Sequence, residues 1–260
     1  MSQVLVRDMH TEDEYFVATC SHRHESDEID VCAEKRLTWF RHTYEKGVRI
    51  KVALLDKEPV GFLYVMPIEV SPWGPLGEQL MVIPCMYVIP DGQHKGAGEA
   101  MIEAAIEETR TQGRKGLVTT AYDNQSWFMP AAYFRAKGFE VAQQRRGQLL
   151  MWHVLDSSAD KPEFLKPVYQ YHPVPGKVVV DLFTHSFCLT VAMEAERVRE
   201  VAAEFGDQVL VNEHDADDME QLWCHQLPRG IFVNGKEIGW GFEAPKEGIR
   251  DAIQQALDKH

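Results

Sequence analysis

Apolar and polar residues in the first 155 positions follow two periods, which predict an alternating series of strands and helices. Period-two alternation and short apolar runs predict strands at residues 3–7, 48–55, 60–66, 80–89, 116–122, 139–142 and 148–154. Apolar residues at three- and four-residue steps predict helices at residues 12–20, 27–45, 97–112 and 130–137. The resulting order is β-α-α-β-β-β-α-β-α-β-β. It predicts the α/β (α+β) fold class.

The junction between the apolar run at 80–89 and the helix beginning at Ala97 has the composition of an anion site. Gly96 and Gly98 can adopt backbone angles closed to other residues, and they place no Cβ between the amides and a ligand. The unpaired amides of the first helical turn, at the positive end of the helix dipole, would point at a phosphate. A strand-to-helix turn that binds nothing would show the same glycines, so these residues leave both interpretations open.

The spacing Gln93-x-x-Gly96-x-Gly98, preceded by Val88-x-Pro90, resembles the acetyl-coenzyme A loop of the GNAT family of N-acetyltransferases. No Gly-Lys-Ser/Thr follows, as a Walker loop requires, and the glycines lack the dinucleotide-binding spacing. The order of elements over about 150 residues agrees with that family. The resemblance implies the GNAT fold, with a mixed and mostly antiparallel sheet.

The resemblance also implies which residues bind acetyl-coenzyme A (acetyl-CoA). In the family the fourth and fifth strands splay, and the pantetheine arm lies between them like an added strand. Asn124 matches the family's asparagine beyond the fifth strand, although it could equally cap the next helix. The implied cofactor-binding residues are Tyr87, Val88, Gln93, His94, Lys95, Gly96, Ala97, Gly98 and Asn124.

The catalytic groups are less well indicated by the resemblance. The family often has a tyrosine that acts as an acid at the start of a Tyr-x-x-x-Gly-Phe motif. Residues 134–139 match this motif, and Phe134, which has no proton to donate, occupies the place of the tyrosine. Tyr133 is one residue away, about 100° round a helix. Other candidates are Glu78, or Glu69, as a base and Cys85, each with a structural alternative: a solvated charge or a buried thiol. The favoured mechanism is direct attack by an amine in a ternary complex, since positioning can supply much of the rate.

The residues from 177 onward predict a second domain of order β-α-β-α-β-β-α, after a Pro-rich linker at 156–176. This order resembles the thioredoxin or glutaredoxin fold, with Cys188 in the place of its first active-site cysteine and Leu227-Pro228 in the place of its cis-proline. Val191 occupies the position of the second cysteine, so disulfide exchange by that route is excluded. The expected domains are therefore 1–155 and 177–260. GNAT proteins with such a C-terminal domain form the bacterial YoaP-like group, which the whole chain resembles.

The charge composition of the chain limits the classes of molecule that it is expected to bind. The formal net charge is −13, and acidic residues outnumber basic ones by 21 to 17 up to residue 155 and by 19 to 10 beyond it. Affinity for nucleic acid comes from clustered Lys and Arg, so the excess of acidic residues argues against nucleic acid as a partner.

No apolar segment of 18 residues and no signal peptide occurs, which predicts a cytoplasmic protein without a membrane segment. Cys20, His22, His24 and Cys32 match no usual zinc spacing, so no metal is expected.

These observations predict an acetyl-CoA-dependent N-acetyltransferase acting on a small-molecule amine, with a second domain that serves as a scaffold or a one-thiol site. The alternative is a thiol-redox or thiol-sensing protein, acting through Cys188, whose GNAT half only binds a coenzyme A-type ligand. A non-catalytic adaptor is a third hypothesis. The acceptor is not identified by the sequence, and a homodimer stays open.

Overall fold

A computed structural model of the chain describes residues 4–22, 25–124, 128–239 and 243–259, which belong to two compact units. The first unit comprises Met1–Arg23 and Phe40–Leu165, and the second comprises His24–Trp39 and Lys166–His260. The expected division placed residues 25–39 in the first domain. Their contacts explain the difference, since buried Arg36 donates from Nε to the Phe187 carbonyl at 2.6 Å. The predicted linker is likewise shared between the two units.

The elements up to residue 155 follow the predicted order. The strands are β1 Val4–Asp8, β2 Arg49–Leu55, β3 Glu58–Pro67, β4 Leu80–Ile83, β5 Met86–Val88, β6 Gly116–Tyr122, β7 Glu140–Arg145 and β8 Gln148–Val154. The helices are α1 Glu14–Ala18, α2 Asp27–Thr43, α3 Ala97–Thr111 and α4 Ala131–Arg135. Helix α2 includes residues of both units.

The strands of the first unit form a mixed sheet in the order β1-β2-β3-β4-β6-β8-β7, with β5 also paired to β3. Among the described residues, β4 and β6 are the parallel pair and the other neighbours are antiparallel. Helix α3 connects that pair and buries its apolar side, including Met101 and Ala105, against the sheet. The predicted mixed, mostly antiparallel sheet is confirmed for this unit.

Several predicted elements differ in extent from those observed. The apolar run at 80–89 forms two strands, because Pro84 and Cys85 interrupt it. Strand β7 extends to Arg145 instead of residue 142, and the turn that follows is correspondingly short. Helix α4 ends at Arg135 rather than at residue 137. The first of these differences creates the candidate site described below.

The second unit contains strands β9 Val178–Thr184, β10 Val209–Asp215, β11 Gly230–Val233 and β12 Lys236–Glu237, and helices α5 Leu189–Glu204, α6 Met219–His225 and α7 Lys246–Leu257. The sheet order is β10-β9-β11-β12, with β9 and β10 parallel and the other pairs antiparallel. Strand β9, α5 and α7 contribute to one apolar core on one face of this sheet.

The other face of the second sheet is covered by the chain that precedes β9. Tyr169 lies 4.2 Å from Phe232, measured between ring centroids, and its hydroxyl donates to Asp181 Oδ2 at 2.7 Å. Asn212 donates to the other oxygen of Asp181 at 2.9 Å. The carboxylate is therefore hydrogen-bonded at both oxygens, which fixes the end of the predicted linker on the second unit.

Two features bear on the expected thioredoxin-like site. Cys188 is the N-cap of α5, as its predicted place at a helix N-terminus requires, and its Sγ lies 3.2 Å from Thr190 Oγ1. Among the described residues, the cis peptide bond is at Gly74-Pro75. The expectation of a cis bond at Leu227-Pro228 is therefore wrong. Pro228 precedes β11 in the trans form, where a proline at a strand end needs no cis bond.

A pH-dependent stability is expected from Asp217, whose Oδ2 accepts from Ser186 N at 2.8 Å while its buried Oδ1 has no partner among the described residues. Burial raises the pKa of this carboxyl to about 6. Above that pH the Asp217 carboxylate is charged in the folded chain, where it is solvated less well than in the unfolded chain, and this lowers the free energy of unfolding. The Asp217→Asn variant is therefore expected to be more stable at pH 7 by about 2 kcal/mol.

The advantage of Asp217→Asn should shrink as the pH falls from about 6 to about 4, because the carboxyl is then protonated in both the folded and the unfolded chain. Denaturant unfolding at several pH values measures it. Asp207→Asn, at an exposed position of the same unit, is the matched control and should show no such dependence. Equal pH dependence of the two variants would contradict the assignment.

Candidate functional site

The site begins where β4 and β5 separate. Strand β4 pairs with β6 from Leu80 to Ile83, and the last pair, Ile83 with Thr119, is reinforced by a hydrogen bond from Thr119 Oγ1 to the Ile83 carbonyl at 2.8 Å. Beyond Ile83 the chain leaves β6, while β5 pairs with β3, as β4 also does. Within the described residues, β5 and the last residues of β6 are not paired to each other, so a cleft opens between them.

The register of β5 determines which backbone groups face this cleft. Tyr64 N donates to the Cys85 carbonyl at 3.0 Å, and Ile89 N donates to the Val60 carbonyl at 2.9 Å. Because hydrogen-bonded positions alternate along an antiparallel pair, Tyr87 also directs its amide and carbonyl toward β3. The amides of Met86 and Val88 face the cleft. The expected use of Tyr87's backbone therefore does not fit this register, whereas that of Val88 does.

The loop after β5 leads directly into α3. Residues Pro90–Gly92 form a 3₁₀ turn, and Gln93 closes the loop by donating from Nε2 to the Val88 carbonyl at 3.1 Å. His94 and Gly96 have φ values of 59° and 87°, the left-handed region. These two reversals turn the chain so that α3 begins at Ala97 with Gly96 as its N-cap.

The first turn of α3 presents unpaired amides. The first helical bond runs from Ala100 N to the Gly96 carbonyl at 3.0 Å, so the amides of Ala97, Gly98 and Glu99 precede it. We call these three amides the anion cradle. A Cβ built at Gly96 would meet nothing within 4 Å, so the space in front of Gly96 is open. Such a helix start can accept a phosphate group.

The cleft and the anion cradle belong to one cavity of about 820 Å³ in the first unit. Seven of the nine expected cofactor-binding residues line it: Tyr87, Val88, Gln93, His94, Gly96, Ala97 and Gly98. Lys95 and Asn124 are exposed and lie outside the lining. The lining also includes residues that the sequence analysis did not select, among them Met86, Glu99, Phe128, Met129 and Lys137.

The α4 aromatic residues are distributed differently from the family pattern. Phe134 and Tyr133 both border the cavity, but Phe134 has 0 % exposure and packs in the core, whereas Tyr133 is half-buried. Burial raises the pKa of Tyr133 to about 12, with a further contribution from the charge of Glu99. The hydroxyl therefore keeps its proton at neutral pH and can donate a hydrogen bond. The role of Tyr133 as a proton donor in catalysis stays a prediction.

The other candidates for acid or base lie away from the cavity lining. Glu69 binds Arg114 through both oxygens at 2.9 Å and accepts from Gln79 N. Glu78 is exposed and precedes β4, at the opposite end of that strand from the cleft. Cys85 is half-buried at the strand break. The structure therefore does not bring Glu78 or Cys85 together with Tyr133.

The cavity contains a cation that pattern reasoning missed. Lys137 Nζ forms an ion pair with Glu99, although the two residues are 38 positions apart in the chain. Glu99 lies in the first turn of α3, where a bound phosphate would meet its negative charge. Lys137 neutralises that charge at the edge of the anion cradle. No sequence period connects the two residues.

Removing this cation is expected to weaken anion binding. The Lys137→Met variant leaves Glu99 facing the cradle, so we expect the Kd for coenzyme A to rise about fivefold at low salt. Glu99→Gln combined with Lys137→Met should restore most of the loss. Lys161→Met removes an exposed cation elsewhere in the first unit and is the control. Calorimetry measures all four proteins, and an equal effect of the two lysine variants would contradict this role.

Among the described residues, no group of three or more His, Cys, Asp or Glu side chains is arranged to hold a metal ion. His24, part of the Cys20-x-His22-x-His24 pattern, lies outside the described residues. None of the helices in the described part of the chain is both long and apolar enough to span a membrane.

Comparison with known proteins gives one family match. Residues 8–128 match the acetyltransferase (GNAT) family. The comparison with curated proteins found no match.

Similar solved structures include three acetyltransferases. A ribosomal-protein-alanine N-acetyltransferase from Brucella melitensis is 20% identical, with 58% of this chain and 99% of that chain covered and a TM-score of 0.45. The PaiA N-acetyltransferase from Thermoplasma acidophilum, in complex with coenzyme A, is 13% identical, with 58% and 99% covered and a TM-score of 0.44. A GNAT family acetyltransferase from Brucella melitensis, in complex with acetyl-CoA, is 15% identical, with 63% and 95% covered and a TM-score of 0.41.

The family is given by the match of residues 8–128. That match includes β4, β5, the loop and α3, the elements that form the cleft and the anion cradle. The chain therefore carries an acetyltransferase domain of the GNAT family at residues 8–128, and the protein is an acyltransferase.

Proposed function

We propose that the protein transfers the acetyl group of acetyl-CoA to the amine of a small molecule. The observation that carries the proposal is the continuity of the cleft beside β5 with the anion cradle of α3 in one cavity. An elongated ligand with an amide-bearing arm and a diphosphate fits both parts. Coenzyme A has this chemistry, since pantetheine carries two amides and joins a diphosphate.

The binding mode follows from the groups that face the cavity. The diphosphate accepts hydrogen bonds from the amides of Ala97, Gly98 and Glu99, with Lys137 balancing the charge of Glu99. Pantetheine lies along β5 as an added strand, bonded to the cleft-facing amides of Met86 and Val88. The strand direction then places the thioester near the break at Pro84 and Cys85.

The reaction is a direct transfer in a ternary complex. The neutral amine attacks the thioester carbonyl carbon, the carbon–sulfur bond breaks, the amine loses one proton and the departing thiolate gains one. Glu69 forms an ion pair with Arg114, and Glu78 lies at the other end of β4 from the cleft, so neither is placed to act as the base. Water accepts the proton from the amine and supplies the proton to the thiolate. The contribution of the protein is mainly to hold the two reactants together.

The second unit is proposed to have a thioredoxin-like fold, supported by its strand order β10-β9-β11-β12 and by Cys188 at the start of α5. Its site departs from that family at Val191, which is buried where a second cysteine would lie, and at the trans Leu227-Pro228 bond. A scaffold role is therefore favoured over disulfide exchange.

The test is an assay of free thiol release from acetyl-CoA with a panel of polyamines, amino acids and aminoglycosides. We expect release above the hydrolysis rate with at least one amine, and stoichiometric calorimetric binding of acetyl-CoA to the full chain. Failure of wild-type protein to bind acetyl-CoA would overturn the proposal. Binding without turnover of any amine would favour the alternative, a ligand-binding module.

A further inference from the structure

The Tyr133 hydroxyl lies against the start of α3. A Cβ built at Gly98 would be 2.5 Å from the Tyr133 oxygen, closer than real Cβ atoms come to a neighbour, and 3.3 Å from its Cζ, which is a tight contact. The Met86 Cε would be 3.6 Å from the same point. Gly98 thus allows the tyrosine hydroxyl to approach the backbone of the first helical turn.

The two glycines of the loop consequently have different roles. Gly96 has a φ of 87° and faces open space, so it is required by backbone conformation. Gly98 has helical backbone angles within α3, which any residue can adopt. Its lack of a side chain is explained by the close approach of Tyr133. In the Gly-x-Gly motif, the first glycine is therefore needed for the turn and the second for the contact with Tyr133.

We infer that the Tyr133 hydroxyl is a further donor of the anion cradle, bonding the diphosphate end of coenzyme A instead of protonating the leaving thiolate. This inference rests on the proposed function and assigns to Tyr133 a binding role within it.

The position of the hydroxyl along the cavity supports the binding role. The Tyr133 oxygen lies 2.5 Å from the Cβ position of Gly98, and the amide of Gly98 belongs to the anion cradle. Tyr133 is held there by the packing of its ring edge-on against Phe134, at 5.7 Å between centroids.

The electrostatic surroundings agree with this position. The hydroxyl stays protonated at neutral pH, because burial raises its pKa to about 12. A protonated hydroxyl donates to a diphosphate without adding charge beside Glu99. The family position for an acid is filled by Phe134, which has no proton to donate.

The first test is the Tyr133→Phe variant, assayed for binding and turnover. Loss of one hydrogen bond to a charged group is expected to raise the Kd for coenzyme A and the KM for acetyl-CoA about tenfold, with kcat unchanged. Desulfo-coenzyme A, which lacks the thiol, should show the same loss of affinity. Tyr44→Phe removes the hydroxyl of an exposed tyrosine outside the cavity and should match wild type.

Either of two results would overturn the inference. A fall in kcat at unchanged Kd would place the hydroxyl at the sulfur as a proton donor, and so would a loss of affinity seen with coenzyme A but not with desulfo-coenzyme A. Failure of the proposed function would look different, because wild-type protein would then bind neither ligand.

A double-mutant cycle tests the contact with Gly98. Gly98→Ala should weaken coenzyme A binding in the wild-type background, because the new methyl displaces the Tyr133 oxygen. In the Tyr133→Phe background the 2.5 Å contact is removed, and the remaining 3.3 Å contact with Cζ requires a shift of only a few tenths of an ångström, so the same methyl should have a smaller further effect. The Kd of the double variant is therefore expected to lie close to that of Tyr133→Phe and well below the product of the two separate losses. Multiplicative losses from the two substitutions would contradict a shared contact.

Discussion

Gly96→Asp is expected to raise the Kd for acetyl-CoA about 100-fold or more. The new side chain would project into open space at Gly96, the residue that precedes the anion cradle, where its carboxylate repels the diphosphate and competes for the amides of Gly98 and Glu99. The substitution should leave the fold intact, since a Cβ there meets nothing within 4 Å. Its cost in stability is that of a side chain at a φ of 87°, about 1–2 kcal/mol.

The other end of the same helix supplies a matched control. Gly113 follows α3, has a φ of 65° and likewise faces open space. Gly113→Asp should therefore cost comparable stability, with an additional penalty from a negative charge at the helix C-terminus. It should bind acetyl-CoA as wild type does. Equal affinities for the two variants, measured by calorimetry, would show that the start of α3 is not the phosphate site.

Val88→Pro is expected to produce the second large effect. The amide of Val88 faces the cleft, so proline removes a donor to pantetheine while keeping the ladder that Tyr87 and Ile89 make with β3. Proline is tolerated on an edge strand at a position whose amide points outward. We expect the KM for acetyl-CoA to rise tenfold to 100-fold from loss of this bond and the misplacement of the arm.

Val88→Ala separates the backbone effect from the side-chain effect. It removes most of the same side chain but retains the amide, so its KM should rise less than that of the proline variant. Circular dichroism and thermal unfolding check that both variants are folded. If the folded proline and alanine variants have the same KM, pantetheine does not pair with β5.

The pairing of the strands at the cleft could not be predicted from the sequence pattern. The run from residue 80 to 89 is apolar throughout, and apolarity alone predicts one buried strand. Pro84 within it is a signal against a continuous central strand. The pattern does not show that both halves pair with β3 and that the first half alone, among the described residues, also pairs with β6, since that choice depends on the whole sheet. The alternating register then decides that Val88, and not Tyr87, offers its amide.

The anion cradle could be predicted because its geometry is local. Glycine spacing, a preceding strand and a following helix suffice to place the turn at Gly96. The role of Gly98 depends on Tyr133, and the neutralisation of Glu99 depends on Lys137, both from α4 or its end. Such contacts between distant residues have no periodic signature.

The same limit applies to the second unit. The pattern at residues 27–45 predicts a helix, and a helix is observed, but periodicity does not reveal which core it packs against. The Nε of Arg36 is satisfied by the Phe187 carbonyl, more than 150 residues away, so the helix belongs largely to the second unit. The trans bond at Leu227-Pro228 likewise could not be read from a dipeptide whose place matched a family feature.

Backbone amide chemical shifts, recorded while coenzyme A is added to the full chain, test the central claim most directly. We predict that the amides of Gly98 and Val88 shift together and saturate at one ligand per chain, while that of Gly113 does not move. Saturable binding that leaves the start of α3 and the cleft edge of β5 unshifted would contradict the account.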